Sequence, residues 1–139
     1  MRSIGGKLAD FLGGYHRRPF DWATNNCAHF VHEWYVFACQ RECIGFLPPF
    51  AGYKETRLWF EDIGQSFGDV ISTRSRMQQI GTAFASVGDI VLVDMYRGAM
   101  QSMAIYSGPE SFAIDLSGKP VGAILPISLA WRLPNESIS

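Results

Sequence analysis

Ile4, Leu8, Phe11 and Leu12 recur at the three- and four-residue spacing of one helix face, and Gly13-Gly14 ends the run. The pattern predicts a short amphipathic helix that covers a core. A proline-centred loop, Tyr15 to Trp22, follows and delivers Phe20 and Trp22 into the structure. From Cys27 the positions Phe30, Val31, Trp34 and Ala38 repeat the helical spacing, whereas His29, His32, Glu33 and Gln40 fall mostly on the other side. Asn25 and Asn26 supply capping chemistry just before this second helix.

Gly45 to Gly52, with Pro48-Pro49, breaks the pattern, and Thr56 to Phe67 and Ser75 to Phe84 read as further short helices. The second half changes character. Asp89 to Val93, Ser102 to Tyr106, Phe112 to Leu116 and Val121 to Ile127 are β-rich runs separated by Gly, Pro and Ser turns. Helices first and strands second, without βαβ alternation, predict an α+β fold in which N-terminal helices pack on a C-terminal antiparallel β-sheet. The 139 residues are enough for one core and read as a single domain spanning 1–139: a helical region over 1–44, loop and short helices over 45–86, the sheet over 87–134 and a tail over 135–139.

Composition narrows the function classes. The chain is 47% hydrophobic and 14% aromatic, which excludes global disorder. Its 12 Lys and Arg against 13 Asp and Glu lack the basic footprint of backbone-driven nucleic-acid binding, so no nucleic-acid partner is expected. Lys7 and Asp10 interrupt the N-terminal apolar run, which therefore does not read as a secretory signal, and no stretch reaches the ~18 apolar residues of a membrane span. Cys27, Cys39 and Cys43 include no C-x-x-C pair, and an odd number cannot all be paired within one chain. His29, His32 and Glu33 form H-x-x-H-E on one helix, which is not the H-E-x-x-H of zinc peptidases and reads as a solvated face. No metal and no cofactor are expected.

The chemically loaded position is Cys27. A cysteine at the start of a capped helix meets unsatisfied backbone N–H groups and the positive end of the helix dipole, which favour its thiolate. Its surroundings, Arg18-Pro19-Phe20-Asp21-Trp22-Ala23 and Asn26-Cys27-Ala28 with Phe30-Val31, are followed by Val87-Gly88-Asp89-Ile90-Val91 and then Met103-Ala104-Ile105-Tyr106-Ser107-Gly108. In order and spacing these segments resemble the NlpC/P60 cell-wall peptidase superfamily, and within it a small phage and prophage branch. The resemblance implies a papain-like fold, a nucleophilic Cys27 heading a helix that packs on an antiparallel sheet, and amide hydrolysis in peptidoglycan stem peptides.

The pattern departs from that family where a histidine base is required. Ser102, with Gln101 beside it, stands at the base position, and all three histidines, His16, His29 and His32, precede the strands. Asn26 replaces the family's Asp before the nucleophile, and Ala23 its Gly after Trp. Without a base Cys27 should not hydrolyse amides at a useful rate. The expected function is therefore a non-catalytic NlpC/P60-like component of a phage or phage-like tail tip or baseplate hub, made in the host cytoplasm and carried in the virion. Hub and distal-tail proteins would be its partners, with peptidoglycan a further candidate. The alternative is an active cysteine peptidase that cuts stem peptides during genome delivery; a thiol or acyl-transfer enzyme is a third, weaker option. Phe46, Phe50, Tyr53 and Trp59, flanked by Pro48-Pro49, form the candidate partner surface.

Overall fold

The computed structural model of the protein describes residues 3–15, 27–39, 58, 62, 64, 67–95, 100–115 and 117–134. Helix α1 (Ile4–Gly14) is capped by Ser3, whose hydroxyl accepts the Gly6 N–H at 3.0 Å, and it buries Leu8 and Phe11. Helix α2 (Cys27–Cys39) runs antiparallel to it. The Lys7 ammonium donates to the Ala38 carbonyl at 3.1 Å, the Phe11 ring lies 5.5 Å from Trp34, and Tyr15 meets Phe30 edge-on at 5.2 Å, so ascending positions on α1 meet descending ones on α2. Lys7 thereby places a positive charge on one of the last α2 carbonyls, where the helix leaves acceptors unmet.

Six strands form one antiparallel sheet: β1 (Gln78–Ile80), β2 (Ile90–Met95), β3 (Met100–Tyr106), β4 (Ser111–Ile114), β5 (Pro120–Ala123) and β6 (Ile127–Arg132). Their spatial order is β1-β6-β2-β3-β4-β5. The helices-then-sheet organisation of an α+β fold is present. Period-two alternation divides the side chains into two faces. Ile90, Leu92, Met103, Ile105, Ile114 and Trp131 join Leu8, Phe11, Phe30 and Trp34 in the main core beneath α1 and α2. Val91, Val93, Ala104, Ala113 and Ala130 point the other way, into a second cluster with Ile80, Leu125 and Ile127.

A third helix, α3 (Phe67–Ser75), adds Ile71 to the main core, and its Ser72 hydroxyl accepts the Trp131 indole N–H at 3.0 Å. The Trp131 ring itself is wholly buried, so this bond satisfies a donor that water does not reach.

Two segments differ from the sequence pattern. Residues 75–84 are not a helix: α3 ends at Ser75, and the chain continues as β1 and a 3-10 turn, Thr82–Phe84. The Ser75 hydroxyl donates back to the Ile71 carbonyl at 2.6 Å and accepts the Met77 N–H at 3.1 Å, while Arg76 at φ 61° turns the chain out of the helix. Residues 45–86 therefore contribute an edge strand to the sheet as well as short helices. The apolar run 121–127 is likewise two strands, β5 and β6, separated at residues 124–126 by Ile124, Leu125 and Pro126. Of the helix expected over 56–67, only 58, 62, 64 and 67 are described; Leu58 and Asp62 are helical and Phe67 begins α3. Among the described residues no helix is long and apolar enough to cross a membrane.

Candidate functional site

Cys27 is the first residue of α2, half-buried against the main core. It occupies the turn where backbone N–H groups lack intrahelical acceptors, the position that favours a thiolate. Cys39, at the other end of the same helix, is buried. His29, His32 and Glu33 lie on α2 and are half-buried. Among the described residues no three His, Cys, Asp or Glu side chains gather into a metal-binding group.

The two residues at the expected base position, Gln101 and Ser102, fall on opposite faces of β3. Met103 and Ile105 face α2, so alternation turns Gln101 to that side and Ser102 away from it. Register agrees: Ser102 pairs with Val93 of the second cluster, and Gln101 pairs with Asp94. Ser102 is buried, and its hydroxyl donates to the Met103 carbonyl at 3.1 Å. Of the two, only Gln101 shares the sheet face on which α2 lies.

Gln101 is exposed and held. Its Nε2 donates to Asp94 Oδ1 at 3.1 Å and to Ser128 Oγ at 3.3 Å, and the Ser128 hydroxyl lies 3.1 and 3.2 Å from the two Asp94 oxygens. The three residues come from three adjacent strands. Ser128 reaches the cluster through an irregularity in the β2–β6 ladder, where Leu92 opposes Leu129 but Val93 opposes Ile127. Ser128 is thus the extra residue of a bulge, a device that re-aims a side chain. Asp94 and Ser128 were not apparent as site residues from sequence. The only local signal is an aspartate closing the apolar strand Ile90 to Val93.

The other end of β2 carries the Gly88-Asp89 pair of the sequence motif, in a different role. Gly88 adopts φ +95°, and a Cβ there would lie 2.5 Å from Ile4 Cγ1. Its carbonyl accepts the buried Trp34 indole N–H at 2.8 Å, which ties α2 to the start of the sheet. Asp89 is buried; its Oδ2 accepts the Ser86 N–H at 2.8 Å and an Arg132 guanidinium N–H at 3.1 Å. Arg132 also donates to the Phe84 carbonyl at 2.9 Å and to Ser86 Oγ at 3.0 Å. The hydrogen bond to Asp89, aided by its charge, raises the Arg132 pKa above the ordinary arginine value against a small opposing effect of burial. This end of the strand is a structural lock.

The candidate partner surface, Phe46, Phe50, Tyr53 and Trp59, lies outside the described residues, as do Phe20, Trp22, Asn26 and His16.

A family model described as a domain of unknown function, DUF6950, matches residues 2–133, a span that includes α1, α2 and the whole sheet. No curated protein matches the sequence.

Proposed function

The chain belongs to the DUF6950 family, a domain of unknown function, and from its site we propose a non-hydrolytic, papain-like domain of the NlpC/P60 type that serves as a structural component of a phage or phage-like tail tip or baseplate hub. One observation carries the loss of hydrolysis. Where a peptidase of this type would turn an imidazole toward the helix headed by its cysteine, β3 turns the carboxamide of Gln101, fixed by Asp94 and Ser128. A carboxamide neither takes nor releases a proton near neutral pH, and positioned acid–base help is worth about 10²–10⁴ in rate. Ser102 offers no substitute, because it lies on the opposite face.

A half-buried cysteine heading a core helix over an antiparallel sheet supports the papain-like reading. The tail role rests on the order and spacing of the motifs around Cys27, Gly88-Asp89 and Ile105-Tyr106. Tail-hub and distal-tail proteins are the proposed partners, and the virion is the proposed location after synthesis in the host cytoplasm.

Incubating the protein and its Cys27→Ala variant with peptidoglycan fragments tests the chemistry. Neither should release stem peptides; release by the natural sequence that is lost in the variant would establish a cysteine peptidase instead. Gradient-purified tail particles test the assembly role. The protein should be found in them at fixed stoichiometry, and its absence from intact particles ends that reading.

A further inference from the structure

The sheet ends at β1 on one side and at β5 on the other. Two hydrogen bonds set the direction in which the β5 backbone points. The Asp115 N–H donates to the Lys119 carbonyl at 3.0 Å, and the Ser107 N–H donates to the Glu110 carbonyl at 2.9 Å. In an antiparallel ladder, pairs that exchange hydrogen bonds alternate with pairs that do not. Counting on from Asp115 and Lys119, the bonded pairs are Ala113 with Val121 and Ser111 with Ala123, while Phe112 turns its backbone to Ile105 of β3. Pro120 and Gly122 therefore turn their backbone groups outward. No described peptide bond is cis, so the Ile124 N–H, opposed to the inward Ala123 carbonyl, points outward too. The outer side of β5 presents the Pro120 carbonyl, the Gly122 N–H and carbonyl, and the Ile124 N–H.

Among the described residues no strand pairs with this side. Unpaired edges are normally protected by charge, by proline or by a covering segment. The other edge follows that rule, since β1 is only three residues long and carries exposed Gln78 and Gln79. The β5 edge does not. From Pro120 to Ile124 it is uncharged, with Val121 44% and Ile124 81% exposed. Pro120 removes one donor and leaves the four groups above in place. A Cβ at Gly122 would lie 2.9 Å from the Phe112 ring, so the half-buried ring of the neighbouring strand leans over this glycine on the main-core side. The edge thus combines unmet backbone groups with apolar side chains above and below.

We propose that β5 is a self-pairing edge, at which two copies of this chain join antiparallel about a two-fold axis through Gly122. The row acceptor, donor, acceptor, donor is complementary to its own reversal. The two Gly122 residues exchange both of their hydrogen bonds, and each Pro120 carbonyl accepts the Ile124 N–H of the second copy. All four outward groups are then used, and Pro120, which has no N–H, stops the ladder at both ends. Val121 falls beside the second copy's Ala123, and Ile124 beside its Pro120, so each exposed apolar side chain meets an apolar one. The axis also draws together the two Glu110 carboxylates, each of which lies over its own Gly122, and salt should relieve their repulsion. A ladder this short buries far less than the ~1,200 Å² of a standard interface, so the pair is weak and fills when copies are concentrated or held side by side. The pairing depends neither on the loss of hydrolysis nor on the tail role.

Sedimentation equilibrium and amide hydrogen exchange of the full-length protein, from micromolar to millimolar concentration, test the pairing. A monomer–dimer equilibrium that tightens with salt is expected, and the Gly122 and Ile124 amides should exchange more slowly in step with the dimer fraction. Ile124→Lys alters a side chain that the monomer leaves in water, and Val121→Lys does the same on the opposite face. Each puts two added charges into the pair and should weaken it about tenfold or more. Urea unfolding of the dilute variants should match the natural sequence, which separates lost pairing from lost folding. A monomer at every concentration overturns the proposal. So does a dimer that both variants leave intact, or one that forms without protecting Gly122 and Ile124. Growth beyond two copies overturns it as well, because a two-fold pair uses up the edge it is made from.

Discussion

The two ends of β2 each carry an aspartate, and the surroundings give the two acids opposite work. Asp89 is buried, accepts hydrogen bonds from Ser86 and Arg132, and adjoins the glycine that anchors Trp34. Asp94 is half-buried, and it aims an exposed amide from the neighbouring strand. The end with the most recognisable motif, Val87-Gly88-Asp89-Ile90-Val91, is the one that holds the fold together. The hydrogen-bonded cluster of Asp94, Gln101 and Ser128 gathers at the other end, where no motif marks it. A segment can therefore identify a fold because packing demands it, without touching a ligand.

The contrast breaks first at Gly88. Gly88→Ala combines a backbone conformation that L-residues rarely adopt with a Cβ 2.5 Å from Ile4 Cγ1 and 3.4 Å from the Trp34 ring. The expected loss is roughly 3 kcal/mol, a large share of the stability of a single domain. Urea unfolding measures it, and a midpoint close to that of the natural sequence would show that this end is no lock. Trp34→Phe comes next. Removing the indole N–H leaves the Gly88 carbonyl without its buried donor, at a cost of about 2 kcal/mol.

Arg132→Met should cost less, about 1 kcal/mol, because the Arg132 side chain is 38% exposed and solvent screens its ion pair with Asp89. The sign of its pH dependence follows from the raised pKa of a cation. Stability from such a group is complete below its ordinary range and is lost only as pH climbs through the raised value. The difference between Arg132→Met and the natural sequence should therefore stay constant from about pH 6 to about pH 9. A difference that shrank steadily across that window would assign the effect to another group.

How much of this was legible depends on where the partners of each residue lie in the chain. Helices α1 and α2 were readable because their signals are local: the apolar faces repeat, Gly13-Gly14 stops the first, and Cys27 opens the second. The helix expected over 75–84 is absent because the Ser75 hydroxyl bonds backward to Ile71 and closes α3, and Arg76 then turns the chain into β1. The strands β5 and β6 merged because Ile124 and Leu125 continue the apolar run across the connection, where Ile124 is in fact 81% exposed. At the site, Cys27 was visible and the base position was narrowed to Gln101 and Ser102. Choosing between them required the phase of β3 against α2, which tertiary packing sets. Asp94 and Ser128 lie 7 and 27 residues from Gln101 in the chain, and only the sheet register with its bulge joins them.

The smallest expected effect is also the sharpest discriminator between the two ends. Asp89→Ala strips the part-buried Ser86 N–H and the Arg132 guanidinium of a charged acceptor, and should cost about 2 kcal/mol. Asp94→Ala releases Gln101 and Ser128, but Gln101 is exposed and water can replace the lost acceptor while the long side chain regains its rotamer freedom. The stability change should stay within about 0.5 kcal/mol, the usual range for a surface substitution. Urea titrations of both variants under one set of conditions make the comparison. If Asp94→Ala proves as damaging as Asp89→Ala, the cluster at the far end of β2 is a second lock.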